Sequence, residues 1–217
     1  MPQPFDQSPY QVRLDWGAAG LERLAKADVV IVVDVLRFSS TVTDAVAAGR
    51  VVDLEEAKIW SANGAAVVAA ADAETVLIGC LRNASAVARA VLEIQDRRQQ
   101  RTSVAVIPAG ESTPDGTLRF AVEDHLGAGA IIAALSDLGI DHTSPEAAAA
   151  CESARGLRRA LRHLLTASGS GRELAQGVAA TERMRASGIE PTTAADAAVL
   201  DATDSVPVLR GGGFVAF

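Results

Sequence analysis

DVVIVVDV, residues Asp28 to Val35, is the stretch on which the fold turns. It is β-branched and apolar at nearly every position, so it reads as a strand buried on both faces, as the central strand of a parallel sheet does. Leu36-Arg37-Phe38 follow it. Ser39-Ser40-Thr41 then supply hydroxyls suited to capping a helix that runs through Val46 to Gly49. The unit is strand, loop, helix.

Working outward, the pattern recurs. Glu74 to Cys80 reads as a strand, Arg82-Asn83-Ala84-Ser85 as a cap, and Ala86 to Gln95 as a helix. Ser103 to Pro108 is a third strand, followed by a Gly/Pro/Asp loop from Ala109 to Gly116 and a helix from about Leu118 to Leu138. Alternating strands and helices predict a largely parallel sheet covered on both faces. Tyr10 to Asp15 alternates and predicts an edge strand. Asn63-Gly64 is a turn signal before a helix. Beyond Asp141 the chain reads as helical to about Ala186, with Pro145 at a helix start. A short helix over Ala194 to Leu200 follows, then a late strand over Ser205 to Arg210 in which Pro207 favours a sheet edge. No repeat or long linker divides the 217 residues, which predicts one domain over 1–217.

Composition narrows the function classes. Hydrophobic residues make up 49% and charged residues 22%, which excludes whole-chain disorder, and the 4% of aromatics predicts a core of small aliphatic side chains. The net charge of −7, without a basic run longer than pairs such as Arg97-Arg98, argues against a nucleic-acid partner. No window approaches the roughly 20 apolar residues of a membrane span, and the stretch MPQPFDQSPYQVRLDWG lacks the pattern of a leader, so no membrane association and a cytoplasmic location are expected. Cys80 and Cys151 stand too far apart for a metal-ligand motif. An Ala/Gly-rich surface with few aromatics is compatible with a homodimer.

In open α/β sheets ligands bind beyond the carboxyl ends of the strands. Three strand ends offer polar groups: Asp34, Arg37, Ser39, Ser40 and Thr41; then Arg82, Asn83 and Ser85; then Glu111, Asp115, Arg119, Glu123 and Asp124. Asp34 is the sharpest, because a carboxylate ending an apolar run is costly to bury unless paired or metal-bound. On the expected third helix Arg119 falls four residues before Glu123, at ion-pairing distance, while Glu123 and Asp124 point roughly 100° apart. Gly127 and Gly129 in the same helix imply close approach to another backbone. The scattered His125, His142 and His163 make no ligand set, and no G-x-G-x-x-G, P-loop, G-x-S-x-G or C-x-x-C motif occurs. Carboxylates with Arg, Ser, Thr and Asn at strand ends, without His or Cys ligands, imply a hard cation such as Mg²⁺ and an anionic oxyacid ligand.

Three ordered blocks carry a resemblance: VVIVVDVLRFSSTV (Val29 to Val42), LIGCLRNASAVA (Leu77 to Ala88) and IPAGESTPDGTLRFAVEDHLGAGAII (Ile107 to Ile132). Together with Ser170 to Leu174 and LDATDSVPVL (Leu200 to Leu209), they resemble the 2-phosphosulfolactate phosphatase family over nearly the whole chain. The resemblance implies a three-layer α/β/α sandwich with a largely parallel or mixed central sheet. It also implies a Mg²⁺-dependent phosphatase that converts 2-phosphosulfolactate to 3-sulfolactate in coenzyme M synthesis. Carried over, the site comprises Asp34, Arg37, Ser39, Asn63, Asn83, Glu111, Glu123 and Asp124, with Ser40 beside them. The chain departs from the family between Arg50 and Ala62, where members usually carry a longer stretch. Either one wall of the site is reduced or a segment is missing from the chain.

These residues predict a division of labour. Asp34 with Glu123 or Asp124 holds Mg²⁺, Arg37 and Asn83 clamp the phosphate, Ser39, Ser40 and Asn63 contact substrate, and Glu111 orients water. Arg119 or Arg172 binds the substrate's second acid group. Asp34 as a covalent nucleophile is the alternative, disfavoured because Leu36 stands where haloacid-dehalogenase-type phosphatases carry a second Asp. Two competing functions stay open: a non-catalytic or repurposed protein that binds a small phosphorylated or sulfonated acid, and a phosphatase for another such acid.

Overall fold

Val29, Ile31 and Val33 face one side of strand β2 (Val29–Val33), Val30 and Val32 face the other, and all five are buried. The computed structural model describes residues 3–113 and 115–217; Met1, Pro2 and Pro114 of the quoted stretches lie outside the described residues. β2 lies between β4 (Thr75–Gly79) and β5 (Val104–Pro108), parallel to both, with Ile31 opposite Leu77 and Val106. β1 (Val12–Leu14) continues the parallel region beyond β5 as the expected edge strand. On the other side β8 (Pro207–Arg210), β9 (Gly213–Ala216) and β3 (Val52–Asp53) extend the sheet antiparallel, giving the order β1-β5-β2-β4-β8-β9-β3.

Helices cover both faces. α1 (Gly17–Arg23), α2 (Ser40–Ala47), α3 (Leu54–Trp60), α4 (Gly64–Ala70) and α10 (Ala179–Ala186) lie over the Val30 and Val32 side, with Val42, Ala57, Val68 and Met184 in that core. α5 (Ala84–Arg98), α6 (Val122–Asp137), α7 (Pro145–Leu157) and α8 (Leu161–Ala167) lie over the other, contributing Val87, Leu126, Ala150 and Leu165. α9 (Gly169–Gln176) and α11 (Ala194–Ala197) complete the C-terminal half. The result is the expected three-layer α/β sandwich with a mixed sheet that is mostly parallel at its centre. No described helix is long and apolar enough to cross a membrane.

Four local expectations are corrected. The helix expected from Leu118 begins at Val122 instead. Leu118–Arg119 form a strand, β7, paired antiparallel with β6 (Glu111–Ser112). The turn between them holds because Thr113 N–H donates to the Thr117 carbonyl, Asp115 accepts from Thr117, and Gly116 takes φ 80°. Arg119 therefore lies opposite Glu111, not on the helix face of Glu123. Ser39 and Ser40 do not cap α2: Ser39 already has helical dihedrals, and the two hydroxyls tie down the preceding turn. The N-terminus of α5 is closed by Asp201, which accepts from the Ser85 N–H and hydroxyl, because Asn83 turns back to the Cys80 N–H. Finally, Pro207 is not on an edge strand. It opens an interior strand, where its missing N–H is tolerated, and the Gly211-Gly212 turn returns the chain as β9.

The glycine reading of α6 holds at Gly129, which meets the backbone of another helix, whereas Gly127 meets side chains. A Cβ on Gly129 would sit 2.7 Å from the Ala150 carbonyl carbon of α7, and one on Gly127 would sit 3.0 Å from the Val33 side chain. α6 is thereby drawn down onto the end of β2, carrying Glu123 and Asp124 with it.

Candidate active site

The chain passes from β2 to β4 on one side and later returns to β5 on the other, so the sheet order reverses between β2 and β5. A crevice opens at such a point beyond the carboxyl ends of the strands. Asp34 leaves β2 on its rim, and Gly110 and Glu111 leave β5 opposite.

Asp124, at the start of α6, fastens the two strand ends together. Its oxygens accept the Val35 N–H at 2.7 Å and the Gly110 N–H at 3.0 Å. Asp34 is 7% exposed, and its Oδ2 accepts the Gly64 N–H at 2.9 Å. Gly64 is required there, since a Cβ would lie 2.7 Å from that same oxygen. Burial pushes the Asp34 carboxyl up to about 6, against the Gly64 N–H and the Arg37 charge that pull it down. Asp124 is raised well above the usual carboxylate range by burial first and then by the charges of Asp34 and Glu123. Glu111 is raised by its partial burial and by Glu173, with Arg119 opposing.

A cavity of about 280 Å³ opens over Asp34. Its lining brings together Asp34, Arg37, Glu111 and Asn63 from the expected set. Asn63 Oδ1 accepts the Ser112 hydroxyl at 2.7 Å, which ties the α4 turn to the β6 hairpin. The stretch from Lys58 to Asn63 forms one wall, so the short Arg50 to Ala62 segment still supplies a wall, completed by Ser170 and Glu173 of α9 and Ala180 and Arg183 of α10. Three carboxylates (Asp34, Glu111, Glu173) and three cations (Arg37, Lys58, Arg183) line it. The Arg37 guanidinium forms no ion pair among the described residues, and its Nε is buried without a hydrogen-bond partner.

Other expected residues stand elsewhere. Asn83 is fully buried, with its amide committed to the Ile78 and Ser205 carbonyls, so it holds the β4 end together and does not face the cavity. Ser39 bonds the Asp34 N–H and the Val32 carbonyl, and Ser40 bonds the Val35 carbonyl, so both shape the turn that presents Arg37. Arg119 lies over Gly169 opposite Glu111, and Arg172 is exposed on α9; neither lines the cavity. Lys58, Glu173 and Arg183 were not singled out by sequence reasoning. They sit on helices, and apart from the place of Glu173 in the Ser170 to Leu174 block their only signal was position on polar helix faces.

Glu123 is 2% exposed and its charge acts on Asp124 and Glu111, but it does not line this cavity. Carboxylates with no His or Cys beside them are chemically suited to a hard cation such as Mg²⁺. Among the described residues no three Asp, Glu, His or Cys side chains form a ready-made metal cluster. A metal held by one or two carboxylates together with a phosphate needs no such cluster. A larger cavity of about 450 Å³ lies between α5, α6, α7 and α8, and its Arg89, Arg155 and Asp201 are already paired with Asp204, Asp137 and Ser85.

Comparison with curated proteins finds no match. A family model, described as 2-phosphosulpholactate phosphatase, matches residues 51–210. The match covers Asn63, Glu111, Glu123, Asp124, Glu173 and Arg183, and begins after Asp34 and Arg37, whose place in the cavity rests on geometry. The chain belongs to the 2-phosphosulpholactate phosphatase family, and is thereby a phosphoric monoester hydrolase.

Proposed function

We propose that the crevice between β2 and β5 hydrolyses a small phosphorylated hydroxy acid, 2-phosphosulfolactate to 3-sulfolactate and phosphate, in a Mg²⁺-dependent step of coenzyme M synthesis. The observation that carries this reading is Arg37: a guanidinium with no ion pair facing a cavity that also holds a buried carboxylate, Asp34.

Arg37 binds the non-bridging phosphoryl oxygens, for which its fork is shaped. Asp34 and Glu123 would hold Mg²⁺. Bound there, the metal supplies charge neutralisation on the phosphoryl group and a more acidic water. Glu111, whose carboxyl is raised above the usual range by its partial burial, orients the attacking water and takes up its proton. Asp124 keeps the two strand ends in register so that these groups converge. The test is phosphate release by purified protein from phosphosulfolactate, phospholactate and phosphoglycolate, with Mg²⁺ and with EDTA. Metal-dependent release favouring the sulfonated substrate supports the reading. A folded, Mg²⁺-binding protein that releases phosphate from none of them is a binding protein instead.

A further inference from the structure

Arg183, exposed on α10, is among the residues that line the cavity, far in sequence from every strand end. Its Nε donates to the Ile59 carbonyl at 2.8 Å, which fixes the guanidinium against the end of α3. The two terminal nitrogens have no hydrogen-bond or ion-pair partner among the described residues. Neighbouring cations are answered: Lys58 pairs with Glu55 at 2.6 Å and Arg185 with Glu190 at 2.9 Å. α10 itself is held firmly, since Thr181 and Met184 on its inner face are completely buried. Ala180, three residues before Arg183 and on the same face, also lines the cavity.

The cavity thus holds two unpaired guanidinium groups on different walls: Arg37 at the end of β2, buried at its Nε, and Arg183 on α10, anchored through its Nε with both terminal donors free. One phosphate does not need both, and about 280 Å³ suits a molecule of a few carbons. A planar guanidinium offers two parallel donors that match a carboxylate or a sulfonate. We propose that Arg183 is the specificity-determining residue that binds the second acid group of the substrate, in place of Arg119 or Arg172, neither of which lines the cavity. This assignment rests on the phosphatase reading of the same site, but it makes a binding prediction that stands apart from turnover.

The experiment uses wild type, Arg183→Gln and Arg183→Lys with two substrates, phospholactate and ethyl phosphate, the second lacking an acid group beside the phosphate. Arg183→Gln is expected to lower the ratio of kcat/KM on phospholactate to that on ethyl phosphate about 10- to 100-fold, chiefly through KM. Arg183→Lys recovers only part of the ratio, because it loses both the fork and the anchor to Ile59. A ratio unchanged in Arg183→Gln overturns the proposal, as does an equal loss on both substrates. In parallel, calorimetric titration with 3-sulfolactate, which carries no phosphate, reads the subsite without catalysis: weaker binding by Arg183→Gln supports it, and unchanged binding overturns it. Should wild type release phosphate from neither of these nor from phosphosulfolactate, the phosphatase reading falls, and the titration alone decides the subsite.

Discussion

Replacing Gly129 with alanine sets two magnitudes against each other. Gly129 lies within α6, where alanine is favoured over glycine by about 1 kcal/mol. The new Cβ would fall inside contact distance of the Ala150 carbonyl oxygen and lie 2.7 Å from its carbon and 2.9 Å from the Ala154 Cβ. Carbon atoms prefer separations of about 3.5 to 4.0 Å. The obstacle is backbone of α7, which no rotamer change relieves, so the two helices must part by about 1 Å. Overpacking of this kind costs about 1–3 kcal/mol or more, and at a backbone contact the upper end applies. Gly129→Ala is therefore expected to destabilise by about 2 kcal/mol net. Gly156 in α7 is the control. A Cβ there meets nothing within 4 Å, so Gly156→Ala is expected to stabilise by up to about 1 kcal/mol. Urea denaturation of both variants, with m-values compared, reads the difference. Because α6 carries Glu123 and Asp124, Gly129→Ala is also expected to lower kcat while Gly156→Ala leaves it alone. Equal stability of Gly129→Ala and wild type would refute the close-packing account of α6.

Three further outcomes follow from the site. Asp124→Ala leaves the Val35 and Gly110 N–H groups without their acceptor and is expected to cost about 3 kcal/mol in denaturation experiments; a cost below about 1 kcal/mol would show that the strand ends do not depend on it. The Asp34 carboxyl lies near 6 when folded and near 3.8 when unfolded, so between those values the folded state keeps a proton that the unfolded chain has released. Its contribution is fully present below about pH 4 and is lost as the pH rises through 6. In EDTA, Asp34→Asn is expected to flatten that part of the stability profile, and an identical slope in both proteins would contradict the burial argument. Arg37→Gln is expected to lower kcat/KM about 10²-fold or more on every phosphomonoester, whether or not it carries a second acid, and a loss confined to doubly acidic substrates would move the phosphate away from Arg37.

The strands and the position of the crevice were legible because they follow from strong local patterns. A β-branched run without polar interruption has few places to go except a sheet interior, and the polar residues after it must then gather at its carboxyl end. Leu118 to Leu138 shows the limit. Its apolar spacing fits a helix throughout, yet Asp115-Gly116 makes a hairpin turn that draws Leu118 and Arg119 into a strand. Gly211-Gly212 carried the same signal for β9, which went unread. Asn83 shows a different limit: a polar residue at a strand end looks alike in sequence whether it faces a ligand or two backbone carbonyls. Lys58, Glu173 and Arg183 were illegible for a third reason. They reach the cavity from α3, α9 and α10, and periodicity says which face of a helix is polar without saying what lies beneath it.

The measurement that bears most directly on the catalytic centre is phosphate release by Asp34→Asn beside wild type, with Mg²⁺ present and both proteins shown to be folded by their thermal transitions. Asparagine keeps the size of the side chain and an oxygen for the Gly64 N–H, and removes only the charge. The account predicts that the variant stays folded and loses Mg²⁺-dependent release by at least about 10³-fold, as expected for a carboxylate at the reacting phosphate. Turnover within a few-fold of wild type would contradict it and take the active site away from the end of β2.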